Sequence, residues 1–177
     1  MKDVFCEHMV KRQLTPMAFL KLVAIGALML ALPLSAIFIF NNFQILFLAL
    51  AFSVWGGIVL IKQCFEEFEY QFTNGELDFD HIIGKQRRKR VLTVDTKRTV
   101  LLVPDRAEFA EKLAAVSVVK TFDFTGGSAA RKSRRYVLVA AGQLGNAKIF
   151  FEPSEELLLC ISKFARSEDF HVDERRD

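Results

Sequence analysis

Met17 to Ile61 is a run of 45 residues with a single formal charge, Lys21, near its start. A water-soluble domain does not bury an uninterrupted apolar stretch of that length, so this part of the chain must meet lipid. The run divides at Asn41-Asn42-Phe43-Gln44, where three amide side chains separate Met17–Phe40 from Ile45–Ile61. As helices the two segments measure about 36 and about 26 Å, against a hydrocarbon core of about 30 Å. The second completes a crossing by taking in Phe43 and Gln44. The expectation is a transmembrane helical hairpin over 17–62, with helices at 17–40 and 43–61.

Local chemistry supports both helices. Thr15-Pro16 reads as an N-cap followed by proline at the first helical position. Pro33 kinks the first helix, which a packed neighbour allows. Small residues recur every fourth position, Ala27, Ala31 and Ser35 in one helix and Ala49, Ser53 and Gly57 in the other. Reversal near Asn42 would set Ser35 beside Ala49, Ala31 beside Ser53 and Ala27 beside Gly57, small residue against small residue.

Orientation follows from the flanking charges. Lys2, Lys11 and Arg12 precede the hairpin, Lys62 and a basic stretch follow it, and the turn is uncharged. Both termini are therefore expected in the cytoplasm, on a plasma-membrane protein that crosses twice. Lys21 snorkels to the same interface. The first run is longer than a signal-peptide core and a second span follows, so it is expected to stay in the mature chain.

The remaining residues balance their charge, 20 Lys and Arg against 19 Asp and Glu over 62–177, which removes the electrostatic case for nucleic acid. Cys6, Cys64 and Cys160 have no metal-ligand or CxxC spacing, and a cytoplasmic domain would keep them reduced. Residues 1–16 form a cytoplasmic N-terminal segment, suited to a short interfacial helix or a frayed tail.

From Phe65 the period changes to two. Phe68, Tyr70 and Phe72 alternate with Glu67, Glu69 and Gln71, Asn74-Gly75 makes a type I′ turn, and Leu77, Phe79 and His81 alternate with Asp78 and Asp80. Strands over Arg88–Asp95 and Arg98–Val103 complete a four-strand meander. Asp105 then caps a helix over Arg106–Ala115. A strand over Val118–Phe124, a glycine-containing basic loop, a hairpin of Tyr136–Ala141 with Ala147–Phe151, and an amphipathic helix capped by Ser154 close the domain. A charged tail over 168–177 is expected to be disordered.

Four strands, three strands and a closing helix resemble a pleckstrin-homology-like (PH-like) domain. With the hairpin in front, the chain is similar to small bacterial membrane proteins that carry such a domain. The residues carrying the resemblance are FEYQFTNGELDFDHIIG over 68–84, the basic KQRRKR over 85–90, and IFFEPS over 149–154. The fold expected is α+β, the transmembrane hairpin followed at 63–167 by a mainly antiparallel β domain of about seven strands with a C-terminal helix. The resemblance implies binding of lipids, peptides or other domains.

Two basic clusters are the candidate sites. Lys85, Arg87, Arg88 and Lys89, with Arg90, would either grip anionic headgroups or neutralise the acidic hairpin, where Glu69 falls opposite Asp80 as a like-charge pair. Arg131, Lys132, Arg134 and Arg135 have no acidic strand beside them in sequence, which makes them the stronger lipid or partner candidate. Asp78 and Asp80 are two residues on one polar face rather than a metal site. No nucleophile elbow, phosphate loop or zinc motif is present, so neither catalysis nor a cofactor or metal is expected. The partners expected are membrane lipids and either a protein or a second copy of the chain, without nucleic acid. The function expected is a membrane-anchored interaction module, the alternative being a sensor of anionic headgroups.

Overall fold

The computed structural model describes residues 4–40, 42–127, 134–142 and 145–165. Two compact units emerge, one made of the described residues of Met1–Arg12, Glu67–Ile82 and Arg88–Asp177, the other of Gln13–Glu66 and Ile83–Arg87.

The second unit is built on two helices, α1 over Pro16–Phe40 and α2 over Phe43–Lys62. Both are long and apolar enough to cross a membrane. Thr15 Oγ1 accepts from Ala18 N at 3.2 Å, and Asn42 Oδ1 accepts from Gln44 N at 2.9 Å, so each helix begins on a side-chain cap. On α2 the covered positions include Ala49, Ser53 and Gly57. On α1 they are Ala18, Leu22, Ile25, Gly26, Met29, Pro33 and Ala36, while Ala27, Ala31 and Ser35 are exposed. The small-on-small pairing expected from sequence is thus replaced by a large residue set into a notch. Ser53 Oγ donates to Met29 O at 2.6 Å, and a Cβ at Gly57 would collide with the Met29 side chain. An adaptable thioether fills the space that two small residues leave. Ser35 Oγ donates within its own helix, to Leu32 O at 2.8 Å, and needs no partner across the hairpin.

The first unit holds eight strands, among the described residues, in two sheets. Residues expected to be a helix or a tail are strand β1, Phe5–Lys11, antiparallel to β2, Glu66–Thr73, in an unbroken register from Phe5↔Thr73 to Lys11↔Glu67. Cys6 and Val10 turn inward and Glu7 and Lys11 outward, a two-residue period hidden in the sequence because cysteine and histidine occupy inward places. The first sheet runs β1-β2-β3-β4, with β3 at Glu76–Ile83 and β4 at Arg87–Asp95. Asn74 and Gly75, with φ of 50° and 102°, make the expected turn.

The expected four-strand meander is not one sheet. A 3-10 turn at Thr96–Arg98 redirects the chain, and β5, Thr99–Pro104, opens a second sheet of order β5-β7-β8-β6. Here β6 is Val118–Asp123, β7 Tyr136–Gly142 and β8 Gly145–Phe151, with β6 parallel to β8. Helix α3 is shorter than expected, Ala110–Ala115, and Asp105 does not cap it. The Asp105 carboxylate pairs instead with Arg135 at 3.1 Å. Phe109, Leu113 and Val116 pack on Leu101, Val103, Val137 and Val139, so this insertion covers the outer face of the second sheet.

The main core lies between the sheets and is closed by α4, Glu155–Ser162, capped by Ser154 Oγ accepting from Leu157 N at 3.2 Å. Tyr70, Phe79, Phe124 and Phe151 form an aromatic centre, with Phe79 stacked on Phe124 at 4.7 Å. The Tyr70 hydroxyl donates to Phe124 O at 2.6 Å and accepts from Glu152 N at 3.3 Å, joining β2 to the ends of β6 and β8. Cys6 and Cys160, expected to be reduced, form a disulfide between β1 and α4. Nothing in their spacing announced the pair, because it depends on β1 lying beside the last helix.

Two outcomes follow. Gly57→Leu should destabilise the hairpin by about 1–3 kcal/mol through overpacking against Met29, whereas Ala31→Leu on the exposed face should be neutral. Thermal melts of the full chain in detergent read the difference. Reduction of the Cys6–Cys160 bond, which closes 154 residues of sequence, should cost about 2–5 kcal/mol, and the Cys6→Ala/Cys160→Ala chain should melt identically with and without reductant.

Candidate functional site

The outward face of β2 and β3 carries Glu67, Glu69, Asp78 and Asp80, because these residues alternate with the core aromatics. Glu69 and Asp80 are nonetheless 0% and 2% exposed. Arginines of β4 reach both. Arg88 pairs with Glu69 and, at 3.9 Å, with Asp80. Arg90 pairs with Asp78 at 3.0 Å and Asp80 at 3.2 Å, and the Thr93 hydroxyl donates to Asp78 at 2.5 Å. Of the two readings of this run, charge neutralisation accounts for Arg88 and Arg90. Lys85, Arg87 and Lys89 are exposed.

Glu69 is the perturbed group of the ladder. Burial lifts its carboxyl above the ordinary glutamate value of 4.5, and the neighbouring Glu7 carboxyl adds to the rise. Arg88 and the Gln71 amide, which donates to Glu69 Oε1 at 3.2 Å, pull the other way.

The second cluster divides. Arg131 and Lys132 lie outside the described residues. Arg134 is exposed. Arg135 is half-buried, paired with Asp105 and lying over the Phe150 ring at 4.3 Å, with Lys148 on the same ring at 5.1 Å. Its acidic partner comes from the end of β5, thirty positions upstream, which sequence adjacency could not reveal. At the base of the loop Gly126 N donates to the buried Glu152 carboxylate at 3.1 Å, and Asp123 Oδ1 accepts from the Thr125 amide and hydroxyl.

His81 stacks on Phe68 at 5.1 Å as part of the packing. Among the described residues no group of three His, Cys, Asp or Glu is placed to hold a metal ion. The site residues thus form charged surfaces on a β framework.

Compared with known proteins, residues 2–171 match the family described as a bacterial PH-like domain (DUF6106). No curated protein and no solved structure matches the chain.

The Glu69 shift sets a pH signature. A carboxyl that holds its proton more tightly when folded makes folding stability fall as pH rises from about 4.5 through its folded pKa, and level off above it. Glu69→Gln should remove that decline. Melting curves of wild type and variant across this range should converge at the acid end and separate toward neutral pH, with the variant the more stable.

Proposed function

Since the chain belongs to the family of bacterial PH-like domains, we propose that it is a membrane-anchored interaction module. Its PH-like domain would bind a protein partner or a second copy of the chain at the cytoplasmic surface. The observation that carries this reading is the insertion of two membrane-length helices between β1 and β2. Lys11, at the end of β1, and Glu67, in β2, are register partners. The chain therefore leaves for the helices and returns from them at neighbouring points of one sheet, through the short links 12–15 and 63–65. Such links reach at most about 3.5 Å per residue, which supports the reading that both outer helix ends lie on one side of the membrane. The basic flanks support the cytoplasm as that side.

Edge strands supply the interaction surface. The edge strand β4 carries Arg87 to Arg90, the charged protection usual at an exposed edge. Edge strand β6 instead exposes Val119, at 68%. An added strand from a partner or a second copy would find its hydrogen-bonding row there. The second reading, headgroup sensing through the basic loops, is favoured by the exposure of Lys85, Arg87, Lys89 and Arg134.

A photoreactive residue at Val119 of the full chain in native membranes should give a discrete adduct of one partner or of the dimer. Lys97, exposed on the other sheet's exit, is the control. Adducts of equal yield at both positions would remove the edge-strand reading. Sidedness has its own test: a Cys at Asn42 should label from outside intact cells and one at Lys97 only after lysis. Labelling of Lys97→Cys in intact cells would overturn the orientation.

A further inference from the structure

The turn between β3 and β4 joins a strained backbone to the end of a membrane-length helix. Gly84 and Lys85 have φ of 62° and 59°, and Gln86 N donates to Ile83 O at 3.3 Å. Two consecutive left-handed residues make a type I′ turn, whose second central place glycine fills most readily. In the turn at Asn74-Gly75 that preference is obeyed. Here a lysine occupies the place, at a conformational cost that glycine would remove.

The turn is fastened to α2. Gly84 N donates to Phe65 O at 2.9 Å, and a Cβ at Gly84 would meet the Lys62 carbonyl oxygen at 3.0 Å. Lys62, in the last turn of α2, and Lys85 and Arg87, on either side of Gln86, are all exposed. Among the described residues none of the three is held in an ion pair, unlike Arg88 and Arg90. The helix end itself repels an anion, so the side chains and not the dipole would carry any binding. Backbone strain kept at an exposed cation points to a use for the cation.

We propose that Lys62, Lys85 and Arg87 form a phosphate-binding site for the headgroups of anionic lipids at the C-terminal end of α2. The proposal rests on the reading of α2 as a membrane span, which sets its charged end at headgroup depth. Ammonium groups meet phosphate as point charges and guanidinium as a two-pronged donor. Anionic lipid would then stabilise the folded chain by mass action, and salt would weaken the effect.

The test uses the full chain in nanodiscs of phosphatidylcholine, with and without phosphatidylglycerol. Phosphatidylglycerol should raise the melting temperature of the wild type, and high salt should reduce the rise. Lys85→Gly should melt above the wild type in pure phosphatidylcholine, because the turn is relaxed, yet lose much of the phosphatidylglycerol shift. Lys62→Ser/Lys85→Gly/Arg87→Ser should lose it entirely, whereas Lys97→Ser, an exposed lysine outside both basic clusters, should keep it. An undiminished shift in the triple variant would overturn the proposal. A shift with inorganic phosphate and none with phosphatidylglycerol would overturn the lipid as its source. Release of the chain from membranes by alkaline carbonate would instead overturn the two-span reading on which the site depends.

Discussion

The pairing of β1 with β2 is the constraint on which the rest depends. These strands are neighbours in the sheet but are separated in the chain by both long helices. Closing that loop would cost entropy that grows with its length. Packing α1 on α2 lowers the cost, because an antiparallel pair brings its own ends together. The inserted helices are thus a covalent part of the sheet's assembly, and a fragment beginning after α2 would lack one edge strand and half of the Cys6–Cys160 bond.

Within the β unit, a few buried polar groups locate what the apolar core only encloses. Tyr70 reaches from the first sheet to the backbone of Phe124 and Glu152 at the far ends of β6 and β8. Glu152 in turn holds Gly126. Such bonds are costly to leave unmade in a dry interior, so they fix where the chain leaves the core and where the loop after Phe124 begins.

The division of the basic residues is an electrostatic consequence of this arrangement. Arg88 and Arg90 are drawn over buried carboxylates, and Arg135 is held by Asp105 and Phe150. Those cations belong to the fold's own electrostatics. Lys62, Lys85, Arg87, Lys89 and Arg134 remain turned to solvent. Among the described residues, fewer side chains of the two basic clusters are therefore exposed without an ion pair than the count of basic residues suggests.

Much of this was written in local pattern. Apolar length and the absence of charge mark α1 and α2, alternation and Asn74-Gly75 mark the first hairpin, and Ser154 with the two glutamates after it marks the start of α4. Each is a short-range property of helix, turn or strand, settled within a few residues. The sequence also made Arg88 and Arg90 candidates for neutralising Glu69 and Asp80, since a tight hairpin sets the register of its strands. What it could not reveal lay between distant segments. That Phe5–Lys11 is a strand, that Thr99 begins a second sheet, that Cys6 meets Cys160 and that Asp105 takes Arg135 follow only once the sheets are stacked. The face of α1 that meets α2 was hidden for the same reason. Small residues mark where helices can approach, but the fit of Met29 against Ser53 and Gly57 is a matter of shape between two surfaces, and shape exists only in the tertiary structure.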